Sequence, residues 1–168
     1  MEKKILKAQL IERLKLMPHP EGGYYHETYR SKLKDREEKA LFSSIYFLLE
    51  TGNISHFHRI ESDELWYFQG GDALTIHMID AAGSYQTVKL GLDVANGEVP
   101  QFLVPKQTIF ASSVEGESEW SLVGCMVSPA FTFEEFKLFS QDELLSKYPE
   151  HEEVIRKYAL SSVERPSE

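Results

Sequence analysis

The densest group of chemically capable side chains lies between Gly52 and Gly71, where His56, His58, Asp63 and Glu64 precede Trp66 and Phe68. A histidine and a carboxylate held together make a base and the group that orients it. On that reading His58 is the base and Glu64 or Asp63 fixes its ring tautomer. The same donors offer another chemistry, because two imidazoles and a carboxylate (His56, His58, Glu64) are a ligand set for a divalent transition metal. Alternate residues of a strand share a face, so His56 and His58 should point the same way. Beyond the next turn Glu64, Trp66 and Phe68 share a face. Pairing of the two strands across that turn would bring imidazoles and carboxylate together. Trp66 and Phe68 then stack on a ligand ring or fill the core.

A second polar stretch runs from Pro18 to Ser31. Glu21, Gly22 and Gly23 mark either a close approach of backbone to a ligand or a tight turn needing positive φ. Tyr25 and Tyr29 share one face of the strand that follows, and a tyrosine in a pocket can donate a proton. His19, His77 and His151 read as structural or exposed. Cys125, within the apolar run 121–127, reads as a small buried core residue.

The elements that must position these groups are short. An amphipathic helix is predicted over 3–16, ended by Met17 and Pro18. From about 24 to 139, short β-rich runs alternate with Gly-, Asn- and Asp-bearing turns, which argues for an antiparallel barrel or sandwich. Ser140 and Glu143 form a capping box for a further helix. Another helical stretch extends to about Tyr158, and the polar tail 161–168 should fray.

The 168 residues suit one domain, and the formal charge of −9 argues against nucleic acid as a partner. A lone cysteine fits a reducing compartment, and the N-terminus lacks the apolar stretch of a signal peptide. No run approaches the ~18 apolar residues of a spanning helix. The expected location is the cytoplasm, with no membrane partner.

With His56, His58, Glu64 and Gly71 in this order, the sequence resembles a cupin, although Gly52 lies two positions late for the first cupin motif. In the second motif, the nearest counterpart to its Pro-x-Gly is Pro105 to Gln107, and its metal-binding histidine falls on Phe110. The stretches Pro18–Ser31, His58–Trp66 and Gly124–Phe133 together resemble the short uncharacterised single-domain cupins, which are similar in fold to dTDP-4-dehydrorhamnose 3,5-epimerase. The resemblance implies an all-β jelly-roll barrel over about 24–139 within one domain of residues 1–168, with short helices at both ends, and a homodimer.

The expected function is binding of a carbohydrate or nucleotide-type metabolite, with epimerase- or isomerase-like proton abstraction by His58. Expected catalytic residues are His58 and Glu64, and expected ligand contacts are Glu21, Tyr25, Tyr29, His56, Asp63, Trp66 and Phe68. No cofactor is expected on this reading. The alternatives are a metal-dependent cupin enzyme with His56, His58 and Glu64 as ligands, and a ligand-binding protein without catalysis.

Overall fold

The computed structural model describes residues 6–164. Eleven strands form two antiparallel sheets packed face to face among these residues. They are β1 (Met17–Pro18), β2 (Tyr24–Arg30), β3 (Ser43–Glu50), β4 (Ile54–Arg59), β5 (Asp63–Gly71), β6 (Leu74–Ile79), β7 (Tyr85–Leu90), β8 (Gln101–Val104), β9 (Ile109–Val114), β10 (Trp120–Ser128) and β11 (Lys137–Leu138). One sheet runs β1-β2-β3-β10-β5-β8 and the other β11-β4-β9-β6-β7. The antiparallel barrel or sandwich expected from the strand spacing and turn chemistry is observed, in keeping with the jelly-roll that the resemblance implies.

Helices lie only at the ends. Helix α1 (Lys7–Arg13) is shorter than the 3–16 expected. Lys15 takes positive φ and ends it before Met17 pairs with Tyr25, and residues 3–5 lie outside the described residues. Met17 and Pro18 form a two-residue strand. Helix α2 (Gln141–Lys147) carries the expected box, with Glu143 N–H donating to Ser140 Oγ and Ser140 N–H donating to Glu143 Oε2. Helix α3 (Glu152–Tyr158) follows. No helix of the described residues is long and apolar enough to cross a membrane.

Two apolar layers explain the strand sequences. Phe47, Trp66, Ile76, Met78, Phe110 and Val123 meet between the sheets. The outer face of the second sheet carries Phe57, Ile79, Ile109 and Ala111, which pack under Leu144, Tyr148, Ile155 and Tyr158 of the C-terminal segment. Strand β9 is covered on both faces, and all six of its residues are buried. His77 belongs to this scaffold. Its ring bonds Tyr85 Oη and Ser113 Oγ, each at 2.8 Å, and stacks on Tyr158 at 4.0 Å.

Two local features decide where the site forms. First, β4 and β5 do not pair with one another; the turn between them carries the chain from one sheet to the other. His58 and Glu64 therefore approach each other from opposite walls of the barrel, not as neighbours in a hairpin. Second, the pairing of β4 with β9 slips between Ser55 and His58. Such a bulge breaks strict alternation, so the expected common face of His56 and His58 does not hold.

Candidate functional site

A cavity of about 300 Å³ opens at one end of the barrel. His58 from β4 and Glu64 from β5 reach it, with Cys125 and Val127 from β10 alongside. Glu21 enters from the turn between β1 and β2. Two glycines make that approach possible. Gly22 has φ +111°, and a Cβ there would lie 1.9 Å from the Ile54 carbonyl oxygen. Gly23 has φ +75°, and its Cβ would press on the Phe47 ring at 2.7 Å. Only residues without a side chain let the turn lie this close to β3 and β4.

The turn is pinned from below by His56. Its backbone N–H and its Nδ1–H both donate to the Glu21 carbonyl, each at 2.7 Å. From above, Glu21 N–H donates to His19 Nδ1 at 3.2 Å, which leaves the His19 proton on Nε2. Burial holds His19 below its ordinary value. The Glu21 carboxylate then meets His58 Nε2 at 2.7 Å. His58 Nδ1 donates to the His56 carbonyl, also at 2.7 Å.

Both partners of His58 are acceptors, a carbonyl and a carboxylate, so both ring nitrogens carry protons and the ring is an imidazolium. Burial opposes that charge, but Glu21 and the two hydrogen bonds outweigh it and hold His58 above its ordinary value. For Glu21 the balance is the mirror image. Burial pushes it up, and the neighbouring His58 and His19 bring it below the usual carboxylate range. Glu64 has no such partner. Burial, with the Glu21 charge adding to it, raises Glu64 to about 7. The neighbouring Cys125 thiol is pushed well up, first by burial and then by Glu64, and so stays neutral.

The orienting partner of His58 is thus Glu21, not Glu64 or Asp63. Asp63 is exposed and accepts the Lys106 N–H at 2.8 Å. Tyr25 lines the cavity. Tyr29 is half exposed and lies against Phe42. Trp66 is buried between the sheets and Phe68 packs against that core; neither lines the cavity. His56 also stays out of the lining and acts on the backbone of Glu21.

Several lining residues escaped the sequence reading. His19, Arg30, Phe131, Phe133 and Phe136 shape the mouth. Arg30 bonds both carboxylate oxygens of Glu27 and the Phe131 carbonyl. Arg59, by contrast, lies over the Phe139 ring.

The donors do not fit a divalent metal. Both nitrogens of His58 are committed, and His56 Nδ1 is bound to a backbone carbonyl. At the expected third histidine position Phe110 packs its ring 4.1 Å from that of His58. Among the described residues no three His, Cys, Asp or Glu side chains converge as a ligand set.

Residues 8–139 match the sequence profile of a family described as Cupin superfamily (DUF985). An uncharacterized protein of Saccharomyces cerevisiae is 31% identical over 155 residues, covering 81% of this chain and 77% of its own. A solved structure from Shewanella oneidensis is 51% identical with a TM-score of 0.89, covering 94% of this chain and 100% of that one. A hypothetical protein from Leishmania major is 39% identical with a TM-score of 0.87, covering 93% and 99%. Oxalate decarboxylase of Bacillus subtilis, at 15% identity and TM-score 0.55, shares the fold over 89% of this chain and 42% of its own.

Proposed function

The chain belongs to the DUF985 family of the cupin superfamily, and from that premise we propose that its barrel mouth binds a small molecule with an enolisable carbonyl and moves a proton on it. The observation that carries this reading is the convergence of Glu21, His58 and Glu64 in one cavity. Roles follow from the hydrogen bonds. His58 has no free lone pair and acts as a fixed cation, with Glu21 as its counter-ion. Glu64 carries the exchangeable proton, because a group poised near 7 is present in both forms at neutral pH.

In the forward step the Glu64 carboxylate takes a proton from the carbon beside the carbonyl. The C–H electron pair becomes the new C=C bond, and the carbonyl π pair moves to oxygen. Delivery of the same proton to that oxygen completes a keto–enol isomerisation that needs no co-reactant, whereas its return to the carbon reverses the step. The buried His58 cation favours the developing negative charge. The test is hydrogen–deuterium exchange at that carbon, followed by NMR with a ligand recovered from freshly isolated protein. Exchange should follow an apparent pKa near 7 and fall at least a hundredfold in Glu64→Gln. Equal exchange rates in the variant would overturn the assignment.

A further inference from the structure

The cavity wall is chemically lopsided. Its floor holds Glu21, His58 and Glu64, while its mouth combines rings with the Arg30–Glu27 pair. Phe131 meets Phe133 edge-on at 5.0 Å and Phe136 at 5.8 Å, and His19 lies 5.5 Å from Phe136. The lining hydroxyls are those of Tyr25, Ser43 and Thr132, and Ser43 Oγ already accepts the Phe131 N–H at 3.0 Å. Sugar hydroxyls turned toward these rings would go unpaired there, which is costly. A volume of about 300 Å³ is also at the small end for ligand sites, too tight for a nucleotide-sized body.

Arg30 is the Lys or Arg among the described lining residues. Its Nε and Nη2 are taken by Glu27 and the Phe131 carbonyl. Nη1 keeps two N–H groups with no protein partner among the described contacts. A guanidinium edge held in place beside an aromatic wall suits a carboxylate on a planar body.

We propose that the cavity takes a small aromatic oxo acid, its ring against Phe131, Phe133 and Phe136, its carboxylate on Arg30 and its enolisable carbon facing Glu64. The proposal rests on the acid–base reading above and names its substrate class. The chemistry is the keto–enol isomerisation already written, with the aromatic ring conjugated to the new C=C bond or to the carbonyl.

The experiment is titration calorimetry of the whole protein with phenylpyruvate and 3-benzoylpropanoate, which differ in the spacing of carbonyl and carboxylate. Neutral phenylacetone, pyruvate, glucose 6-phosphate and dTDP-glucose are the comparators. At least one aromatic acid should bind more tightly than every comparator. Arg30→Gln should weaken the acids about tenfold or more, a clearly larger factor than for phenylacetone. Because Arg30 also holds the Phe131 carbonyl, Glu27→Gln serves as the second variant. It removes a competing carboxylate and should tighten the acids without affecting phenylacetone.

Phe133→Ala, at a half-exposed position, should weaken all aromatic probes about threefold to tenfold and spare pyruvate. Tighter binding of either sugar probe, or no binding of either acid, would overturn the class while leaving Glu64 as a proton carrier. Aromatic acids that bind as described but show no Glu64-dependent exchange would support the class and overturn the proton-transfer reading.

Discussion

Replacing Glu64 by Gln isolates a buried carboxyl raised far above its ordinary range. The substitution keeps the size and the neutral form, and removes the titration. In the folded chain Glu64 gives up its proton only near 7, against an ordinary 4.5. Between those values the folded state holds a proton that the unfolded state has lost, so Glu64 makes stability fall as pH rises. The rise corresponds to about 3 kcal/mol once both states are ionised, with most of the loss complete by about pH 8.

Other groups titrate in the same range with mixed signs. His77 and His19, both depressed, make stability rise with pH, whereas His58, raised, makes it fall above 6.5. The informative quantity is therefore the difference between Glu64→Gln and the parent, in which these contributions largely cancel. Urea denaturation at pH 5, 6, 7 and 8 should show that difference growing by about 2.5 kcal/mol in favour of the variant. A difference that stays flat across this range would refute the charge balance drawn for the cavity, and with it the role of Glu64.

Glu21→Gln removes the counter-ion of a buried imidazolium and should cost about 3 kcal/mol or more at pH 6, read by denaturation. The His58 ring should then titrate below its ordinary 6.5 in NMR. His77→Gln tests the other pH dependence. Burial, then the Lys157 charge, lower His77 to about 4, so the unfolded state takes up a proton first as pH falls from 6.5. The acid-side loss of stability should flatten in this variant, again by denaturation against pH.

The barrel was legible because its strands are short, turn-bounded and rich in β-branched and aromatic residues, with helix signals confined to the ends. Ser140 and Glu143 gave the box of α2 outright. The site was legible only in part. His58 and Glu64 come together as expected, but by a route that alternation does not predict. The bulge at Ser55 to His58 breaks the parity, and the chain changes sheets before Asp63. Glu21 stood in the sequence as a ligand contact beside two glycines, and the glycines were the signal. Their close approach serves a carboxylate that meets His58 rather than backbone that meets ligand. Arg30 and the phenylalanines at 131, 133 and 136 carry no spacing that marks them, since their meeting depends on a loop returning across the end of the barrel.

The phenylalanine at 110 and the proton on Glu64 have one explanation. A barrel mouth that buries Glu21, Glu64 and His58 together holds two carboxylates against one imidazolium. Three protein donors and a divalent cation would neutralise such a set, but Phe110 removes the third imidazole and its ring fills that space against His58. The remaining charge has to be met by a proton. It settles on Glu64 because Glu21 sits within hydrogen-bond reach of His58 and takes its Nε2–H. Acid–base capacity near neutral pH is therefore a consequence of how these side chains are apportioned: the glycine turn delivers Glu21 to His58, and Glu64 is left with a proton it can give away.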